Sequence, residues 1–548
     1  MDAAAEPLDD LHHIDDSLRS IQYDDGRRYQ PLRLDKMFAR ATSWTSTPQV
    51  GPIQRPPTPP RRTAMIYPLP QPLQEINKGV SPLGKLFQYP ELVPNILKCF
   101  DRPRELATLA LVNREFCRLA RKRLYEILWI RPWEKGSDIK LGLLFETLHQ
   151  HPELCKLVKH LDVRFFPLAT RDTERYDLDE KVQKAVAAMV ELESLIWTRD
   201  RSLNNPLVDN IANLRHLRTL EISGHSRRYY DPRVLSRLPA LEELRVMMPD
   251  ATFRDSLLGL VKSFDARSNG GLRGLAVVAK VSFEHLSTIM TEIQGSPLVD
   301  DGMLLAMAPF LRDLKRLTFW GCTRLTRDGV RKILTEAKEL EELSLDTTSH
   351  SNLNDLTQAP PLSELHTLSI SFPAPNRLPS RPGLSASDLP SLPSGSRLTS
   401  LLLTLSGDRA WMPAGGISHL AVQTDFTKLK RLSLLNLFFG SEELTELIET
   451  APNLEELYLS IRSRNVLLDC DALDKTRLRI LHTNAPERWG PTPTDLLNVA
   501  ERIPTLEQIG TGNRVYQILR RYDKDEPVVE ICRWSQTGTP GYFQVWRG

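Results

Sequence analysis

Cysteine is scarce. The chain of 548 residues has six, at Cys99, Cys117, Cys155, Cys322, Cys470 and Cys532, with no CxxC pair and no clustered histidine partners. That spacing excludes a disulfide framework and a zinc site, and suits small buried apolar residues of a reduced intracellular protein. An excess of charge of one sign is also lacking. Against 71 Lys and Arg stand 69 Asp and Glu, a formal +2, so no bulk attraction to nucleic acid or to a membrane surface is expected. No apolar run approaches the length of a membrane span. The opening Met1 to Glu6, followed by Asp9, Asp10, Asp15 and Asp16, is not a basic-then-apolar signal peptide. A soluble protein of the cytoplasm and/or nucleus is therefore expected. Catalytic motifs are missing as well. There is no G-x-G-x-x-G, HExxH or GxSxG, and the cluster Gly270, Gly271 and Gly274 lacks the Lys-Ser/Thr ending of a phosphate loop. The acidic pairs Glu341-Glu342 and Glu455-Glu456 recur at the polar turn of a repeat, as a solvated rim would. These absences predict a non-enzyme with no cofactor and no metal.

What is present divides the chain into four expected regions. Residues 1–84 are rich in proline, around Thr47-Pro48, between Gly51 and Arg62, and from Pro68 to Pro72. Proline fixes φ and removes backbone donors, so a disordered tail is predicted. Thr47-Pro48 and Thr58-Pro59 would suit a proline-directed kinase, and Arg55 with its PxxP-like spacing an SH3-type groove.

Residues 85–132 carry more apolar surface than so small a bundle can hide. Leu92, Val93, Ile96, Leu97 and Phe100 recur at one-face helical spacing behind Pro90. Asp101, Pro103 and Glu105 read as the cap and first turn of a second helix offering Leu106, Leu109 and Ala110. Asn113 reads as the cap of a third, bearing Phe116, Leu119, Ala120 and Leu124. Leu109, Leu119 and Leu124 are expected in its core.

Across residues 133–512 one unit recurs, LxxLxL or a close variant. Copies fall at Leu192-Leu195-Trp197, Leu217-Leu220-Ile222, Leu241-Leu244-Val246, Leu272-Leu275-Val277 and Leu314-Leu317-Phe319. Others follow at Leu340-Leu343-Leu345, Leu365-Leu368-Ile370, Leu398-Leu401-Leu403, Leu429-Leu432-Leu434 and Leu454-Leu457-Leu459. Weaker copies contain Leu161, Leu481 and Ile509. The better-spaced copies recur at roughly 25 residues, a period that means stacked repeats. Each unit reads as a turn feeding a short strand. Intervening segments read as helices, as in Asp301 to Pro309, Arg327 to Ala337 and Ser441 to Ala451, the last with Ser441 as its cap. Two intervals are over-long: Lys280 to Leu311, predicted to hold an extra helix or a degenerate unit, and Pro373 to Ser396, predicted to form a loop excursion. Residues 513–548 hold alternating runs from Arg514, Val528 and Tyr542, predicted to form an antiparallel β cap.

The short block resembles an F-box over roughly Tyr89 to Leu128. The resemblance rests on Pro90-Glu91-Leu92, Ile96-Leu97, Arg104-Glu105-Leu106 and Leu111-Val112-Asn113-Arg114-Glu115-Phe116. The family's usual Leu-Pro start reads Tyr89-Pro90 here, and its frequent Val-Cys-x-x-Trp reads Val112 to Phe116. The long array resembles leucine-rich repeats, an α/β solenoid with parallel strands inside and helices outside. Phe319-Trp320-Gly321-Cys322 is similar to the cysteine-containing subtype. Together these resemble a fungal-type F-box/leucine-rich-repeat protein, the substrate-recognition subunit of a Skp–cullin–F-box ubiquitin ligase. The resemblance implies that Pro90, Leu92, Val93, Ile96, Leu97, Leu111, Val112 and Phe116 form an exposed face that docks on a Skp-type adaptor and through it the cullin. The repeats would then hold a protein substrate and act by proximity. The alternative is a leucine-rich-repeat scaffold acting outside a ubiquitin ligase; an RNA-binding array is disfavoured by the near-neutral charge.

Residues flanking the inward strand leucines point to the concave face of such an array. Arg245, Trp320, Asp346, Tyr458 and His482 are the candidate substrate contacts, a mixed set that suits a protein partner better than a phosphate backbone. For Trp320 and Tyr458 the alternative is packing on neighbouring strands.

Overall fold

The computed structural model describes residues 21–22, 28–29, 92–98, 100, 103–130, 136–167, 172–267, 270–279, 296–346, 360–373, 384–393, 396–406, 409–486, 489–512, 514–523 and 526–533. The chain forms two compact units, Met1–Gly79 and Val80–Gly548. In the first, Ile21–Gln22 and Arg28–Tyr29 pair as two antiparallel strands. The remainder of the expected tail, with its Thr-Pro and PxxP-like motifs, lies outside the described residues.

The second unit opens with three short helices, α1 (Leu92–Lys98), α2 (Pro103–Leu109) and α3 (Arg114–Glu126). The expected cap of α3 is in place, the Asn113 side chain accepting from the Phe116 amide at 2.9 Å. The expected cap Asp101 lies outside the described residues. Helix α3 runs directly into a strand, Ile127–Trp129. The sheet therefore starts inside the stretch read from sequence as helical.

From there the second leucine of each unit forms a ladder. Leu128 pairs in parallel with Leu161, and the register passes through Leu195, Leu220, Leu244, Leu275, Leu317, Leu343, Leu368, Leu401, Leu432, Leu457, Leu481 and Ile509. Each strand adds beside the one before it, which is what a repeat stacked on its neighbour produces. These residues, and from Val163 to Leu459 the apolar partner two positions on in each strand, are buried in one continuous core. Helices link many of the strands, making a mixed α/β, solenoid-like fold. The sheet ends in antiparallel pairing of Gln508–Thr511 with Arg514–Asp523, and of that strand with Glu526–Arg533. The run from Tyr542 lies outside the described residues. Among the described residues no register joins the first strand to the last.

Local chemistry sets the helix starts. Asn204, Asp250 and Asp300 each accept from the amide three residues on, at 2.9–3.0 Å. The helix Ser441–Thr450 departs from expectation. Gly440, not Ser441, is its cap, and the Glu443 carboxylate accepts from the Gly440 amide at 3.0 Å. A Cβ on Gly440 would sit 2.7 Å from that carboxylate, which favours glycine there.

Both over-long intervals leave the sheet intact. Gly274–Val278 pairs directly with Arg316–Trp320. Between them Ser296–Asp300 pairs instead with Cys322–Arg324 in a separate two-stranded sheet, followed by the helix Asp301–Met307. Thr367–Pro373 likewise pairs directly with Ser400–Ser406, while the excursion between them returns Leu389 and Leu392 to the core.

Candidate functional site

The helical segment divides its apolar residues sharply. Val93, Leu97, Leu106 and Phe116 form a small core of their own, with Phe100, Leu109, Leu119 and Leu124 half-buried around it. Val93, Leu97 and Phe116 were expected on an exposed face, and this is a correction. Three helices of 7, 7 and 13 residues need interior side chains, and these three supply them. Pro90 lies outside the described residues. The other expected contacts are exposed: Leu111 at 86%, Val112 at 53%, Leu92 at 45% and Ile96 at 40%. Leu92 and Ile96 are one helical turn apart, so they share a stripe of α1. Leu111 and Val112 sit in the turn before α3, held by amide bonds back to Thr108 and Leu109 at 3.1 Å. Each would gain on the order of 1–2 kcal/mol on being covered.

The candidates on the array prove to be mostly structural. Tyr458 is fully buried, packed with Leu402, Leu435 and Ile480 in a second small cluster. Leu457 and Leu459 face the main core, so strand alternation puts Tyr458 on the opposite face. Its hydroxyl donates to Glu456 at 3.1 Å, and Glu456 is gripped by Arg431 through bonds of 2.7 and 3.1 Å. His482 is also fully buried. Its Nε2 lies 2.9 Å from the Gly512 carbonyl. A Cβ added to Gly510 would come within 2.3 Å of its Nδ1. The ring lies against the turn into the antiparallel strands, which explains why it does not face a partner. Asp346 is buried, accepting from the Gly321 amide at 3.1 Å, where Gly321 adopts φ +69°. All three are corrections to the expected contact set.

Trp320 and Arg245 keep partial exposure. The Trp320 indole donates to Ser344 at 2.6 Å on the next strand. Arg245 lies 3.7 Å from Glu243, beside a further ion pair of Arg164 with Asp162 and Glu221 at 3.1 and 3.4 Å.

One cluster escaped the sequence reading. The short strand Ala410–Trp411 pairs with Leu437 and Phe438, bringing the Trp411 and Phe438 rings to 6.0 Å. Arg462 stands over Trp411 at 5.1 Å and Arg409 over Phe438 at 5.8 Å. Trp411 is 49% exposed. Tryptophan and arginine together are the residues that anchor protein interfaces. The signal was hidden because Ala410-Trp411 fits no repeat unit, and a shift of register between Leu434 and Phe438, with Asn436 at φ +62°, is what presents Phe438.

Burial pushes the Cys155 thiol up to about 11; burial, and then the neighbouring Asp346, push Cys322 up to about 12, so both stay protonated and inert near neutrality. Among the described residues no group of three or more His, Cys, Asp or Glu is placed to hold a metal ion, and no helix is long and apolar enough to cross a membrane.

No protein-family model and no curated protein matches the chain. Among solved structures, a chain from the crystal structure of the Rad7 and Elc1 complex in yeast is similar over 69% of this chain and 88% of that one, at 14% identity and a TM-score of 0.35. A likeness that loose bears on neither fold nor function.

Proposed function

We propose that the chain is a non-catalytic F-box/leucine-rich-repeat subunit of a Skp–cullin–F-box ubiquitin ligase. In this reading α1 to α3 are the F-box. Leu92, Ile96, Leu111 and Val112 dock on a Skp-type adaptor, and the array holds a protein substrate. One observation carries it: a small helical segment leaves four large aliphatic side chains in water while its own core is closed. Such a surface suits burial against a partner. Rigid continuation of α3 into the first strand would fix the array relative to the adaptor, so substrate capture becomes effective concentration at the ubiquitin-loaded enzyme.

Co-purification tests the reading. Wild-type protein should recover a Skp-type adaptor, and Leu92→Asp with Ile96→Asp should lose it while leaving the array folded. Failure of wild-type protein to recover adaptor would leave the scaffold function outside a ubiquitin ligase.

A further inference from the structure

The turns leading into the strands of the array carry a chain of ion pairs. Lys159 meets Glu193 at 2.9 Å, Lys315 meets Glu341 at 2.7 Å and Arg479 meets Glu507 at 2.9 Å. Each of these three cations has a carboxylate on the next turn, which neutralises it locally.

In one groove cations outnumber carboxylates. This groove, of about 640 Å³, crosses the turns that feed five successive strands, from Thr367–Pro373 to Ile480–Asn484. Arg397, Lys428, Lys430 and Arg477 line it, with His366, and Glu455 is the one carboxylate among the lining residues. Lys430 takes Glu455 at 3.2 Å, Arg479 approaches the same carboxylate at 3.9 Å, and Lys428 takes Asp425 at 3.1 Å. Arg397 and Arg477 are exposed and have no ion pair among the described residues. Two exposed arginines with no ion pair, in a groove whose single lining carboxylate is already engaged by Lys430, leave a local positive surplus in a concave surface.

We propose that this groove binds an acidic peptide segment of a partner protein, its carboxylates meeting Arg397 and Arg477. Guanidinium is suited to that role because it meets a carboxylate through two parallel N–H bonds. Strands roughly 4.8 Å apart make the five turns about 19 Å long, the reach of five or six extended residues at about 3.3 Å each. The other lining residues, Thr399, Thr427 and Asn453, are uncharged and already donate to His366, Asp425 and Thr427, so they add no competing carboxylate. Nucleic acid is disfavoured because no Trp, Tyr or Phe lines the groove to stack a base. The proposal does not depend on the adaptor reading.

Fluorescence anisotropy on the full chain tests it, with a labelled all-glutamate peptide as probe. Binding should weaken steeply with salt, and a matched all-glutamine peptide should bind at least tenfold more weakly. Arg397→Glu with Arg477→Glu should lose the peptide, and the milder Arg397→Gln with Arg477→Gln should bind it roughly tenfold more weakly. Lys159→Glu, at the far end of the rim, should bind as wild type does. The proposal is overturned if wild type does not bind the all-glutamate peptide or binds both peptides equally. It is equally overturned if the double glutamine variant binds like wild type, or if a labelled single-stranded oligonucleotide binds more tightly than the peptide.

Discussion

The helical segment and the array use the same aliphatic residues to opposite ends. In the array the ladder from Leu161 to Ile509 is buried in one core shared by every repeat. In the helical segment a core of four, Val93, Leu97, Leu106 and Phe116, coexists with Leu111 at 86% exposure and Val112 at 53%. A repeat stacks on two neighbours, so its apolar face is covered twice over. Three short helices have no such neighbours, and what they cannot enclose faces water. The proposed docking face is therefore exposed apolar area, whereas the surfaces the array presents are charged or aromatic: the exposed arginines Arg397 and Arg477, and the Trp411 cluster.

Truncating interior residues should separate the two regions most strongly. Leu457→Ala should destabilise the array by about 2–5 kcal/mol, and Phe116→Ala should cost about 3–5 kcal/mol within the helical segment. Urea unfolding read separately by proteolysis of each region would show two distinct losses. A single shared transition for both variants would mean that the two cores are coupled through α3. Gly510→Ala should cost about 1–3 kcal/mol, because a Cβ there would meet both the His482 ring and the Arg514 carbonyl, and thermal melting would show it as a lowered Tm.

A smaller effect belongs to a helix cap. Burial works to raise the Asp250 carboxyl, but the amides of Arg227 and Phe253 and the Ser226 hydroxyl outweigh it and hold the group below the usual aspartate range. A depressed carboxyl stabilises the fold above its unfolded pKa, about 3.9, and that contribution disappears as pH falls through the folded value. Asp250→Asn should thus cost about 1 kcal/mol at neutral pH by weakening the bonds the carboxylate accepts from the Arg227 amide and the Ser226 hydroxyl, and the gap to wild type should close on acidification below pH of about 4. A gap constant down to low pH would show that the charge contributes nothing. Smallest in stability is Leu111→Ser, expected within about 0.5 kcal/mol of wild type. Yet it should weaken adaptor capture if the proposed docking face is correct, and pull-down against melting temperature distinguishes the two.

Much of the array was legible because its signal is local. The spacing of Leu220 and Ile222, or of Leu457 and Leu459, states which side chains share a face of a strand, and Asn113 names the start of a helix in the segment before it. Ser441 misled because Glu443 can close the same helix end on a glycine amide. Tyr458 and His482 were legible as positions on the concave face but not as buried residues. Their burial depends on Leu402, Leu435 and the Gly510 turn, each contributed by a different strand.

By itself the sequence determined which side chains of each repeat strand share a face, since strand alternation needs nothing but neighbours along the chain. It also determined that the block around Leu92 to Phe116 holds more aliphatic side chains than three helices can enclose. The tertiary structure alone decided which of them turn inward: Val93, Leu97 and Phe116 inside, Leu92, Ile96, Leu111 and Val112 outside. It also decided where cations outnumber carboxylates along the rim. Both outcomes are set by which residues meet across register and helix packing, and such meetings are fixed by partners distant in the chain.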